Sequence, residues 1–296
     1  MYSVETGGNA MSEWILYACA SAVLGGMLPS LMKTGVRRAA PAVAAALYAA
    51  MAFLFALAAA AIVGTLEQVR DIGNATLLWL LLAGMLRALL WLCLFTALST
   101  GGGNRVMPIH NLAAAAAVGA TALFFGGSIG IWRLCCLVLL LLGTVLMESR
   151  QQRGRGYRWL LFAFFALMAA TALQLVDARL LGDMTDSVQV LLESLVAAVL
   201  LLVLAAAGGT LKSLKKLQFE DYLYLLLSGL ATGLAWLCDA ATALHGDSTY
   251  LLPIACCAFP LMMLFARLFH KEKLPAAAAL GLVLAVAGMF GLLLNV

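Results

Sequence analysis

Six polar side chains stand in stretches where polarity is costly: Arg87, Asp177, Glu193, Asp239, His110 and Asn111. An ionisable group at the centre of a membrane span costs roughly 2.5–3.5 kcal/mol on insertion scales, so it usually faces a cavity or a partner. Arg87 belongs to a stripe at steps of four, Trp79, Ala83, Arg87, Trp91. A second stripe reads Tyr224, Ser228, Thr232, Trp236, with Asp239 three residues on. Steps of four place residues on one face of a helix. The chemistry such stripes could do is binding. The planar fork of Arg87 could hold a carboxylate or phosphate. The indoles of Trp91 and Trp236 could stack on a planar ligand or hold a cation over their faces. Arg87 could equally pair with Glu193 or Asp239 as a structural lock.

The remaining polar candidates divide by depth. Asp239, Glu193 and Asp177 lie toward one face, and with Asp183, Asp186 and Asp247 they make that mouth acidic. Such a mouth favours cations, or protons that drive exchange. Asp239 is the first candidate for a proton or amine site and Glu193 the second. Glu193 has Gln189 one turn earlier and so also reads as an interhelical hydrogen-bonding residue. Asp177 is expected at the rim. His110 and Asn111 follow Pro108, in a first turn where proline frees backbone groups that could meet a ligand; His110 also reads as a hydrogen-bonded packing residue. Trp14, Trp132 and Trp159, near span ends, are expected in the interfacial belt. The seven cysteines show no zinc spacing and read as packing residues, with no metal or cofactor expected.

The elements that position these groups follow from composition. Of 296 residues, 65% are hydrophobic and 11% charged, with a mean hydropathy of +1.03. Soluble domains carry about 25% charged residues, so the chain reads as an integral membrane protein. A span needs about 20 apolar residues. Ten stretches qualify: 13–32, 40–64, 75–98, 105–125, 129–147, 158–181, 187–208, 219–243, 248–269 and 275–294. Residues 1–12 are read as a tail, and because Glu5 and Glu13 rather than Lys or Arg precede the first apolar run, no cleavable signal is expected. The net charge of +4 is modest, and it suits membrane orientation rather than nucleic-acid binding. Of the 18 Lys and Arg, fourteen lie in loops after the odd-numbered spans, while Arg70, Arg133 and Arg179 lie opposite. Cytoplasmic loops carry the excess, so both termini are expected on the non-cytoplasmic side.

The two halves align at a shift of 145 residues. Trp14 pairs with Trp159, Trp79 with Tyr224, Trp91-Leu92-Cys93 with Trp236-Leu237-Cys238, Pro108-Ile109 with Pro253-Ile254, and Gly143 with Gly288. A Thr-Ala-Leu at 96–98 and again at 242–244 implies one inserted residue. The expected fold is therefore all-α and transmembrane, ten helices as two five-helix repeats, 13–150 and 151–296. An odd number of spans inverts the second copy, as in many secondary transporters.

Ten spans, the five-plus-five repeat and the loop His270-Lys271-Glu272-Lys273-Leu274 before the last span resemble the EamA-like branch of the drug/metabolite transporter superfamily. The resemblance covers essentially the whole chain and implies the fold and transport, but not the substrate. It also implies that the third and eighth spans line a central cavity. The first-half loop Gly126-Gly127-Ser128 departs from the pattern by lacking a charged pair. Family members are commonly drawn with both termini in the cytoplasm, the reverse of the charge bias here.

The expected function is a secondary transporter moving a small metabolite, an amino acid or organic cation, by alternating access, with proton exchange or efflux as one form. An amino acid would set its carboxylate at Arg87 and its amine at Asp239. The bacterial inner membrane is the expected location. The expected partners are the lipid bilayer and a small-molecule substrate, with a homodimer compatible and nucleic acid excluded. The competing classes are a membrane-embedded enzyme on lipid-linked substrates and a non-transporting receptor or scaffold. The scattered His110, His245 and His270 and the lack of a nucleotide loop weigh against an enzyme.

Overall fold

A computed structural model describes residues 7–101, seven positions between 106 and 120, and residues 131–148, 157–180, 184–245, 258–271 and 276–293. Among these residues the chain forms nine α-helices and no sheet. They are α1 (Gly7–Gly35), α2 (Pro41–Val63), α3 (Asn74–Thr100), α4 (Ile131–Glu148), α5 (Arg158–Leu180), α6 (Asp186–Ala207), α7 (Phe219–His245), α8 (Ala258–His270) and α9 (Ala276–Leu293). Six of them, α1–α3 and α5–α7, are long and apolar enough to cross a membrane. The expected span 105–125 and the first part of 248–269 lie largely outside the described residues.

The helix ends follow from local chemistry. Pro41 occupies the start of α2, where its missing N–H would be unbonded anyway, and Ala40 before it is extended. Gly64 ends α2 in the left-handed region at φ 76°, and its N–H bonds back to the helix. Gly209 does the same after α6, at φ 64°. Each opens a short 3-10 turn, Thr65–Asp71 and Thr210–Lys216. The starts of α3 and α7, Asn74 and Phe219, keep the shift of 145.

The core is built from small residues. Ala44, Ala45, Ala49 and Ala52 of α2 and Ala197, Leu201 and Ala205 of α6 are fully buried, and α2 packs along α6. Lipid tails are as apolar as leucine, so helix association in a membrane relies on close packing, which small residues permit. Many larger side chains point outward, among them Leu78, Leu89, Val199, Leu202 and Leu230. In water this would be a liability; in lipid it is the solvated surface.

The other main contacts run α1 on α7 and α8, α3 on α5 and α6, α2 on α7, and α4 on α9. Trp159, expected at the interface, is buried instead. The start of α5 lies against the end of α3, where a Cβ added at Gly101 would stand 3.1 Å from Trp159 Cβ, so neighbouring helices rather than lipid headgroups cover it. Trp132 is exposed, and its Nε1 donates to the Gly291 carbonyl at 3.0 Å.

Candidate functional site

The centre of the molecule is organised around Arg87. Gly84, one turn earlier on α3, allows that helix close to α6: a Cβ there would stand 2.5 Å from Val196 Cβ and 3.2 Å from the Glu193 carbonyl. This contact brings Arg87 against the Glu193 side chain. Nε of Arg87 donates to Glu193 Oε2 at 2.8 Å, and Nη2 donates to the same oxygen. The Glu193 side chain is wholly buried and that of Arg87 is 10% exposed. Asp177 of α5 approaches Arg87 Nη2 at 3.9 Å and keeps 31% of its side chain exposed. It thus combines the expected rim position with a place in the charged cluster.

Gln189 ties the two acids together. Its Nε2 donates to Glu193 Oε1 at 2.8 Å and to Asp177 Oδ1 at 3.1 Å. One guanidinium therefore faces two carboxylates, and a neutral amide bridges them. A buried carboxylate left without such partners would be strongly unfavourable.

Two indoles complete the surroundings of Arg87. Its guanidinium carbon lies 5.8 Å from the Trp91 ring centre and 5.3 Å from that of Trp236, within cation–π range. Tyr48 of α2 stands edge-on to Trp91, with ring centres 5.0 Å apart at 89°. Its hydroxyl shares a 2.7 Å hydrogen bond with Thr232 Oγ1, and Thr232 Oγ1 also donates to the Ser228 carbonyl at 3.0 Å.

The structure thus brings Arg87, Glu193, Trp91, Trp236 and Thr232 into one cluster. Trp79 is exposed two turns before Arg87, and Tyr224 is half-buried two turns before Thr232. His110 has a buried Nδ1 without a hydrogen-bond partner among the described residues. Asn111 lies outside the described residues, as does the side chain of Asp239. Sequence reasoning missed Tyr48. The signal was present in the repeat, since Tyr48 lies 145 residues before Glu193.

One small space borders the cluster and a wider one lies elsewhere. A cleft of about 50 Å3 lies beside Trp236, between Phe55, Val190 and Gly233. A water needs roughly 10–15 Å3, so this cleft admits a few waters and no metabolite. A wider polar cleft of about 560 Å3 lies near the end of α2 and the start of α6, lined by Gln68, Asp71, Thr76, Met184 and Thr185. No group of three His, Cys, Asp or Glu among the described residues could hold a metal.

The sequence profile of the EamA-like transporter family matches residues 12–149. An uncharacterized transporter in the cobO 3' region of a Sinorhizobium species is 30% identical over 128 residues, covering 42% of this chain and 91% of that relative. A crystal structure of a protein 16% identical covers 95% of this chain and 96% of its own, with a TM-score of 0.65; it speaks for the fold alone. The chain belongs to the EamA-like transporter family of the drug/metabolite transporter superfamily, a family of membrane transporters.

Proposed function

We propose that the protein moves a small zwitterion or organic cation by alternating access, and that the Arg87 cluster is where the substrate binds. The observation that carries this is the guanidinium between two indoles, with two carboxylates set against it. Its formal charges leave one negative charge in excess. A substrate amine fits Glu193 and Asp177, a carboxylate fits the Arg87 fork, and an apolar or aromatic body fits Trp91 and Trp236. Because Arg87 already holds Glu193, a substrate carboxylate competes with Glu193 for the same nitrogens. The ion pair is thus a lock when the site is empty and a receptor when substrate opens it. Proton exchange is the coupling this arrangement favours, with Glu193 and Asp239 as carriers.

Two inverted five-helix units, 13–150 and 151–296, form the frame of this reading. Its support is the recurrence of element starts 145 residues apart: Pro41 and Asp186, Thr65 and Thr210, Asn74 and Phe219. Packing partners recur likewise, α1 on α7 with α5 on α3, and α3 on α6 with α7 on α2. The basic loops set both termini outside the cytoplasm, in a bacterial inner membrane. The test is binding and counterflow. A ligand at 100 times its Kd adds about 2.7 kcal/mol of stability. Purified protein should gain stability with some amino acids or organic cations, and proteoliposomes should exchange the same compounds. A broad panel giving neither effect would dismiss this substrate class.

A further inference from the structure

Gly84 and Gly229 lie 145 residues apart and make the same contact on different helices. A Cβ at Gly84 would meet Val196 Cβ at 2.5 Å and the Glu193 carbonyl at 3.2 Å; at Gly229 it would meet Met51 Cβ at 2.5 Å and the Tyr48 carbonyl at 3.0 Å. Val196 and Met51 are themselves 145 apart, as are Glu193 and Tyr48. Three residues beyond each glycine stands the side chain that crosses this contact. Arg87 reaches Glu193, and Thr232 meets Tyr48. The charged pair and the neutral pair are one contact made twice, with different chemistry.

The two copies lean toward opposite faces. Glu193 lies seven residues into α6 and Tyr48 seven residues into α2, each about 10 Å from its helix start. The start of α6 lies with the end of α2, where Gln68 Oε1 accepts from Thr185 N at 3.3 Å. The start of α2 lies with the end of α6, where Ser213 Oγ accepts from Ala40 N at 3.3 Å. These bonds, too, are 145 residues apart at both ends. Among the described residues, equivalent contacts therefore tie the helix ends together at both faces at once, and the cleft beside Trp236 is too small for a metabolite.

We infer that Tyr48 and Thr232 are positioning residues of the transport cycle, forming the inverted counterpart of the Arg87–Glu193 pair. Opening toward the Gln68 face separates Arg87 from Glu193 while Tyr48–Thr232 holds. Opening toward the Ser213 face separates Tyr48 from Thr232 while Arg87–Glu193 holds. The inference rests on the inverted repeat and alternating access proposed above. Its charge asymmetry has a consequence: a charged substrate acts directly on one latch only, and the neutral latch must yield to helix movement alone.

Hydrogen–deuterium exchange of the full-length protein in nanodiscs, without substrate, tests this. Tyr48→Phe removes one neutral hydrogen bond, and such bonds are worth enough to shift the ratio of open to closed forms roughly 2- to 10-fold. Exchange should rise in segments 36–46 and 210–222 and stay unchanged in 65–76 and 184–190. Thr232→Val should give the same pattern. Glu193→Gln should give the reverse. Increases at the same face for Tyr48→Phe and Glu193→Gln, or no change in either, would overturn the assignment. Counterflow by the wild type, measured in parallel, separates the failures. Transport with symmetric exchange rejects the latch pair alone, and absent transport with opposite exchange patterns rejects the transport reading alone.

Discussion

Replacing Glu193 by leucine leaves the guanidinium of Arg87 buried beside an apolar side chain. Breaking a buried ion pair by removing one partner costs about 3–5 kcal/mol. Here the loss is smaller, because Asp177 already lies 3.9 Å from Arg87 Nη2. At that distance a charge pair with an effective dielectric constant near 20 interacts by about 4 kcal/mol, and Asp177 can close in once Glu193 is gone. Glu193→Leu should therefore cost about 2–3 kcal/mol. Glu193→Leu with Asp177→Asn removes both acids and should cost about 3–5 kcal/mol. The pair Arg87→Met with Glu193→Leu removes both buried charges. It should return to within about 1 kcal/mol of the wild type, since apolar replacement of a buried pair is often neutral. Asp177 keeps its partial exposure and Gln189 in that variant, so it adds little penalty. Equilibrium unfolding in mixed detergent and SDS micelles measures the wild type, these three variants and Arg87→Met alone. If the variant carrying Arg87→Met and Glu193→Leu loses the sum of the two single losses, Arg87 and Glu193 are not energetically coupled and the reasoning fails.

Three other outcomes follow from the packing and the site. Gly143 and Gly288 sit at the crossing of α4 and α9, where added Cβ atoms would stand 2.6 Å from the Gly281 carbonyl and 2.6 Å from Leu140 N. Either glycine changed to leucine should cost about 1–3 kcal/mol or more by overpacking, read as a lower midpoint in the same unfolding assay. Trp236→Leu should weaken binding of organic cations by about 0.5–2 kcal/mol, measured by ligand-induced thermal stabilisation, with little effect on aliphatic zwitterions. Arg38 pairs with Asp221 at 3.3 Å but is 45% exposed. Arg38→Ala should cost under about 1 kcal/mol, and equal stability loss at low and high salt would contradict that electrostatic origin.

Much of the arrangement could be read before any coordinates, for physical reasons. Apolar runs of span length are unambiguous in a chain this poor in charge, so 40–64 and 75–98 foresaw α2 and α3 within two residues. Buried charge is costly, and Arg87 and Glu193 therefore stood out from sequence. Their partnership did not, because Arg87 had Glu193 and Asp239 as equal candidates and only the Gly84 contact between α3 and α6 decides for Glu193. Tyr48 could be found only through its repeat partner Glu193, because a tyrosine in an alanine-rich helix costs little and by itself draws no notice. Asp177 was placed at the rim from its depth; the bridging amide of Gln189 draws it toward Arg87. Trp159 read as an interfacial ring because it opens a span, but which neighbour covers a span end depends on tertiary packing.

The variant carrying Arg87→Met and Glu193→Leu also gives the most direct test of the central claim, that this cluster is the transport site. It should fold with near wild-type stability. Counterflow in proteoliposomes should then be present for the wild type, with amino acids or organic cations, and absent for the variant. Counterflow by the variant at the wild-type rate and affinity would show that substrate passes without the cluster, and would contradict the account.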